Sequence, residues 1–579
     1  MKNTMRSHFK TVYIILLVLI FSTISCKNDI ITPEPSPNDT TKVLADYATA
    51  SFRPALLPRQ SDVIMRSLRF RPYIASDRTD GRYTRGALTD FHVTRLEWTY
   101  INNLTDAQAA DSIKRVIAMG RLFGATINID VDNKYCNVDL NGTVIAPEGV
   151  LVNPKGTGCM NNPDFFTLQT NEFVRNVNVG ALSNQRDDPS TTANVWQSGG
   201  CFCNYCMEKF TRWLRQKYSV HELNQMGITN PETFNYKTYL KSLSPAVPVG
   251  VDFGSWNGGV LKENFITFLD ESSHDFFIRM KGEVALLTGK DAPLSGNNSS
   301  YQVWNNNTMK AFDWGLSEMM FSTGTPQQIY SKSNEARKLS KFQVFSTPKL
   351  RYPTDFNVDD TPIISDADRL FLNRYLIAMS YASGGIMVVP WDVFEQSLGH
   401  GPDRFFGKKE DYADIYGFVR AMAPYLDDYE EVFAFGQNLT TTNPVSGLLS
   451  EIPAGVYVIV RVIPKSKTAP VIFHFVDTRI VKTPYTISIN SKLLYAGKSY
   501  EMEFYRPKTY IPDQHTEAEN LATKLLQTGK LFSKLESPAF NGLVDTVKVA
   551  PTTLNERFSF DVPPVNPWGV LKVWPVVSK

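Results

Sequence analysis

Asp187 and Asp188 stand side by side between Arg186 and Pro189. Adjacent carboxyls beside a cation can split their proton affinities, one raised and the other held ionised. Proton transfer is therefore the chemistry to look for, with Asp188 the first choice of general acid and Asp187 the second. The bland alternative is that Asp-Asp-Pro makes a turn and caps a helix. Glu318 lies in the apolar run Trp314-Gly-Leu-Ser-Glu-Met-Met-Phe321. A carboxylate there is costly unless it faces a polar site or a buried ion pair, and it is the first choice for a second carboxylate. Trp391-Asp392 closes another apolar run, offering an aromatic platform and a third acid. Glu97 and Trp98 are neighbours in a strand-like run, so strand alternation lets only one of them face inward. Asn297, Asn298 and Trp304 are candidate partners for hydroxyl groups.

The six cysteines carry a second chemistry. Cys201-Phe-Cys203-Asn-Tyr-Cys206 packs three thiols into six residues, and Cys159 lies 42 residues before Cys201. Disulfides within so short a segment are geometrically strained. The same thiols can converge on one tetrahedral ion, and Cys159, Cys201, Cys203 and Cys206 then make a closed structural zinc site. Disulfides, favoured by export, and reduced metal-free thiols are the alternatives. Cys136 is left over. The seven histidines include no H-E-x-x-H, and the chain has no G-x-S-x-G, so neither a zinc protease nor a serine esterase is indicated. No organic cofactor is expected.

The elements that must position these groups alternate along residues 69–430. Thr94–Tyr100 reads as a strand, Ala107–Phe123 as a helix stopped by Gly124, and Ala125–Asp130 as the next strand, which is a βαβ unit. Further strands are expected at 157–160, 180–185, 292–296, 314–321, 342–345 and 386–389, with helices at 165–177 and 368–381. Eight strands in about 300 residues is the count and length of an α/β (β/α)8 TIM barrel. The runner-up, an open doubly wound sheet, would show a Gly-rich phosphate turn that is absent. After Phe433 the runs 456–462, 471–476 and 485–489 alternate and are β-branched, indicating a C-terminal antiparallel β-sandwich, an accessory domain over 433–579.

The segment Cys201–Leu223, CFCNYCMEKFTRWLRQKYSVHEL followed by Asn224, resembles the stretch after the fourth strand of family-42 β-galactosidases. A lone cysteine precedes C-x-C-x-x-C there by a gap like the one from Cys159, and Phe210, Trp213, Leu214 and Tyr218 match its helical stripe. The resemblance covers about 65 residues and implies two catalytic carboxylates on a (β/α)8 barrel, at the C-terminal ends of its strands. Two positions depart from it. Asn184-Gln185 stands where the family has Asn-Glu, and Phe342–Pro348, where its nucleophile belongs, holds no acid. The expected function is hydrolysis of a poly- or oligosaccharide through two carboxylates. The alternative is a carbohydrate-binding lipoprotein on a barrel that has lost its acids.

The bulk properties agree with an exported globular protein. Lys2, Arg6 and Lys10 precede the apolar run 12–21 and then Ser22-Thr-Ile-Ser-Cys26. This resembles a lipoprotein signal of the Bacteroidetes type, residues 1–26, with lipid on the Cys26 thiol; an uncleaved anchor helix is the alternative. Residues 27–45, with Pro33, Pro35 and Pro37, read as a tether, leaving 46–432 for the barrel. Membrane contact is expected through the lipid anchor alone, at the outer membrane, on its cell-surface or periplasmic face. A net charge of +2 gives no electrostatic footprint for nucleic acid. The 12% aromatic content suits a carbohydrate partner.

Overall fold

The computed structural model describes residues 42–576, except 51–56, 68–83, 128–131, 146–156, 190, 298–303, 305, 320–323, 347–365, 397–401, 440, 442, 444, 496–499, 527–531, 533, 550, 551 and 555. Cys26, the signal segment, the tether up to residue 41 and Asn298 lie outside the described residues. Among the described residues no helix is long and apolar enough to cross a membrane.

Eight parallel strands run in chain order around one sheet: β1 (Ile64–Ser67), β2 (Arg95–Thr99), β3 (Leu122–Ile127), β4 (Ser183–Arg186), β5 (Leu294–Asn297), β6 (Trp314–Ser317), β7 (Phe342–Phe345) and β8 (Ile386–Met387). The Val389 N–H donates to the Ile64 carbonyl at 2.8 Å, bringing the segment after β8 back to β1. Helices α1 (Thr84–Asp90), α2 (Asp106–Ala118), α3 (Pro163–Asn178), α4 (Asn204–Lys217), α5 (Gly259–Thr288), α6 (Pro326–Lys338), α7 (Asp366–Ala382) and α8 (Lys409–Ala421) connect or surround the strands. The sequence explains their starts. Thr105 and Gln108 form a reciprocal capping box at α2, and Asn162 caps α3 with Pro163 in its first turn. Ile113 and Val116 of α2, and Phe165, Phe173 and Val177 of α3, are buried, as amphipathic periodicity requires.

The expected count of eight strands is met, but by two offsetting errors. β1 lies inside the 46–432 expected for the barrel but before residue 69, where the alternating pattern begins. Residues 157–160 are not a barrel strand: Gly158 makes only an isolated bridge to Cys136. Four-residue runs carry too little periodicity to separate the two cases. The helix after Thr105 ends at Ala118 and turns at Gly120 (φ 81°), not at Gly124. Gly124 lies inside β3, where a Cβ would come within 2.0 Å of the Glu97 Oε2 atom.

Beyond a short hairpin, β9 (Val393–Gln396) with β10 (Pro402–Phe405), the C-terminal part is an antiparallel sandwich. Its larger sheet runs β11 (Glu430–Phe435), β12 (Val456–Val462), β13 (Val471–Asp477), β19 (Trp568–Pro575), β15 (Tyr500–Pro507) and β16 (Val544–Lys548); its smaller sheet runs β14 (Thr486–Asn490), β18 (Arg557–Asp561) and β17 (Thr552–Leu554). Two boundaries differ from expectation. Val43, Leu44, Ala45 and Ala48 are buried in the sandwich core rather than in a tether or the barrel. A helix, α9 (Pro512–Leu526), interrupts the sandwich and packs on the barrel. There Glu519 accepts from Arg121 at 2.8 Å and meets the His92 Nδ1 atom at 2.8 Å.

Candidate active site

Strand alternation on β4 sets its inward face, and hydrogen bonds beyond its end show which acid reaches the mouth. Ser183 donates to both carboxylate oxygens of Glu97, at 2.8 and 3.0 Å, so its side chain points to the axis. Asn184 points the other way, accepting from Asn176 of α3 at 2.9 Å. The period of two then aims Gln185 inward and Arg186 outward, where β4 ends. Asp187 reaches across the mouth. Its Oδ2 accepts from the Tyr100 hydroxyl at 2.9 Å, its Oδ1 from the Asn297 amide at 2.9 Å and from the Asp188 backbone N–H at 3.1 Å. Tyr100 follows β2 and Asn297 ends β5, so three strand ends converge on one carboxyl. Asp187 remains half-buried, whereas Asp188 is exposed and sits at a positive φ of 41°.

Glu318, one residue beyond β6, stands 3.8 Å from the Arg66 guanidinium of β1 and is 22% exposed, so it also opens on the mouth. Arg66 lies over the Trp98 ring at 5.0 Å. The two carboxyls feel each other. Burial first, and then the negative charge of Glu318, hold the Asp187 carboxyl above its ordinary value, while Asn297, Tyr100 and Arg186 pull it down.

Glu97 and Trp98 are not the alternatives that simple alternation implies. The register between β2 and β3 shifts between Leu96 and Thr99, and Trp98 takes a positive φ of 51°. Such a bulge resets the alternation, and Trp98 joins Arg66 near the mouth. Glu97 lies deeper and is fully buried, with Arg95 donating at 2.7 Å. Burial raises its carboxyl above the ordinary range against the pull of Arg95. Glu97 is thus a floor ion pair and not a sugar contact, which corrects the sequence expectation. Glu97→Ala removes the carboxylate to which the buried Arg95 guanidinium donates, while Asp62 stays 3.8 Å from it, and is expected to cost about 3–5 kcal/mol, read as a lower urea midpoint.

Three aromatic and polar candidates also move. Trp391 is 6% exposed, packed edge-on against Phe406 at 4.9 Å and against Phe91 at 6.2 Å, so it is a core residue and no open sugar platform. Trp304 is buried and donates its indole N–H to Gln343 at 3.1 Å. Asp392 is buried at a positive φ of 54°. Asn297 does reach the mouth, where its partner is Asp187.

The four cysteines do converge. Their sulfurs all lie within 4.8 Å of one another, with Cys159 at 3.6 Å from Cys203, 3.4 Å from Cys206 and 3.7 Å from Cys201. A disulfide needs about 2.05 Å, and all five described cysteines are free. A tetrahedral ion with sulfurs at about 2.3 Å requires S–S distances of about 3.8 Å, close to those observed. The donor set fits as well: the Cys206 backbone N–H at the start of α4 points at the Cys203 sulfur (3.4 Å), and the Asn161 amide at the Cys206 sulfur (3.4 Å). Such N–H groups stabilise thiolates. Phe210 and Leu214 are buried in a separate apolar core around this cluster, with Trp213 and Tyr218 packed on it. The cluster ties the loop after β3, which carries Cys159, to the loop after β4, which carries Cys201–Cys206. Thr192 adds a second tie, accepting from the Met160 N–H at 3.0 Å.

Over 280 residues the chain is similar to α-agarases. It is 29% identical to that of Thalassotalea agarivorans and 28% identical to that of Alteromonas agarilytica, in each case over 46% of this chain and 18% of the relative. The chain thus spans about a fifth of the length of the curated relatives it matches. No family model matches it. Among solved structures, α-L-fucosidase isoenzyme 2 from Paenibacillus thiaminolyticus aligns with a TM-score of 0.45 at 9% identity, over 90% of this chain and 100% of that one. The α-amylase from H. orenii gives 0.42 at 9% identity, over 88% and 99%. The agarase AgWH50C gives 0.37 at 11%, over 60% and 50%.

Tyr100 and Arg66 were missed by the sequence reading. Tyr100 was readable as the residue ending a strand next to Trp98. Arg66 was hidden because its strand was not recognised.

Proposed function

We propose that this chain hydrolyses glycosidic bonds of a poly- or oligosaccharide at the barrel mouth, with agarose the first substrate to test. The observation that carries this reading is the pair of carboxyls, Asp187 from β4 and Glu318 from β6, that open on one mouth and interact electrostatically. Glycosidases need two such groups across the bond. Asp187 is the proton donor, because burial and Glu318 favour its protonated form. As the bond from the anomeric carbon to the bridging oxygen breaks, the Asp187 proton passes to that oxygen. Glu318 faces the positive charge developing on the ring and takes one proton from the attacking water, whose hydroxyl ends on the anomeric carbon; Asp187 regains its proton from solvent as Glu318 releases its own. Asp187 thereby replaces Asp188 as our first choice. The similarity to α-agarases supports a galactan as substrate.

The four cysteines are proposed to hold one structural zinc. All four tetrahedral positions would be filled by sulfur, so the metal pins the loops and takes no part in bond cleavage. Kinship with family-42 enzymes rests on this cysteine segment alone, since that family's acid positions are Gln185 and an acid-free β7. Lipidation of Cys26 and an outer-membrane location are proposed on the signal pattern.

Incubation of the purified protein with agarose and a panel of other galactans tests the reading. New reducing ends are expected. Carbohydrate binding without new reducing ends would leave a non-catalytic binding barrel in its place.

A further inference from the structure

We infer that Tyr100 is a positioning residue that fixes which oxygen of Asp187 carries the transferable proton, changing from donor to acceptor as Asp187 gains it. The inference rests on the proposed role of Asp187 and deepens it. Oδ1 accepts two N–H groups, from the Asn297 amide at 2.9 Å and the Asp188 backbone at 3.1 Å. A backbone N–H donates only, so Oδ1 stays an acceptor whichever way the Asn297 amide is turned. Oδ2 meets the Tyr100 hydroxyl at 2.9 Å. A hydroxyl both donates and accepts, and its hydrogen rotates to suit. The ionised carboxylate is therefore matched by Tyr100 donating. The protonated acid is matched by Oδ2–H donating to the Tyr100 oxygen, with Oδ1 as the carbonyl oxygen. The opposite arrangement, a proton on Oδ1, would set an O–H against two N–H donors.

Two consequences follow for the reaction. The bridging oxygen of the sugar must approach Oδ2, because that is where the proton sits, and it replaces the Tyr100 oxygen as the acceptor during transfer. Tyr100 then rotates its hydrogen back to Oδ2 and matches the carboxylate that remains. Tyr100 itself neither gains nor loses a proton. Its own ionisation is remote, since burial and the adjacent Asp187 charge push it well above the ordinary tyrosine value.

The test is the pH–rate profile of Tyr100→Phe beside the wild-type protein and Asp187→Asn, on the galactan that the wild type cleaves best. Phenylalanine removes a donor that favours the ionised carboxylate, so the limb governed by Asp187 should move up by about one pH unit. The accompanying fall in kcat at the optimum should be at most about tenfold. A merely structural tyrosine would lower the thermal midpoint without moving the limb, and an unmoved limb overturns the inference. Full activity of Asp187→Asn would instead overturn the assignment of Asp187, and this inference with it. Neutron diffraction on the wild type gives a second reading that needs no variant. Below the transition a deuteron is expected on Oδ2, directed at Tyr100; a deuteron on Oδ1 overturns the proposal.

Discussion

Asp187→Asn is expected to lower kcat on a cleaved galactan by about 10³-fold, within the range that a positioned general acid contributes, while Asp188→Asn leaves it nearly unchanged. The contrast follows from the partners of Asp187 and the exposure of Asp188. Asp187 meets Tyr100 and Asn297 across the mouth. Asp188 is exposed. The fold of Asp187→Asn should survive. The new amide oxygen can accept from the Asn297 amide and the Asp188 N–H, while its NH₂ faces a Tyr100 hydroxyl that is free to turn and accept. A thermal midpoint near that of the wild type, measured with the rate, separates lost chemistry from lost structure. If Asp188→Asn were the inactive variant, the acid that reaches the mouth would have been misassigned.

Removal of the metal should have the second largest effect, on stability first and activity second. About one zinc per chain is expected, bound by Cys159, Cys201, Cys203 and Cys206, and lost in Cys203→Ser or with a strong chelator. Structural zinc supplies on the order of 10 kcal/mol of apparent binding free energy in small domains. Its loss also leaves four thiols crowded within 4.8 Å. Leu140, Ile145, Val195, Phe202 and Phe253 share the core that surrounds the cluster, so fast hydrogen exchange should appear at 133–145 and 191–258 while β6–β8 stay protected. Activity should fall because the loop after β4, which starts at Asp187, loses its anchor. Elemental analysis finding no metal in the reduced protein would refute the site. Full activity of the metal-free protein would refute the anchoring role.

Architecture was largely legible in the sequence, because long amphipathic helices and β-branched strands each have a period that one residue cannot erase. Short elements were not. Ile64–Ser67 is a four-residue strand, and 157–160 imitates one. The helix Pro512–Leu526 was overlooked because its surroundings are sandwich strands. Within the site, the residue types were found and their directions were not. Asp187 over Asp188 was not decidable either, since β4 ends at Arg186 and Asp188 takes a positive φ of 41°. Trp98 was not decidable, because a bulge with positive φ has no signature in Glu-Trp-Thr. Trp391 shows the opposite failure: an aromatic at a strand end is equally suited to a sugar or to Phe91 and Phe406, and only packing chooses.

The most direct measurement is a crystal structure of Asp187→Asn with an agarose-derived oligosaccharide bound. The account predicts a bridging oxygen within hydrogen-bond distance of residue 187, on the side facing Tyr100, and Glu318 across the same sugar ring. A sugar seated away from β4 and β6, or a ring with Glu318 turned from it, would contradict the account.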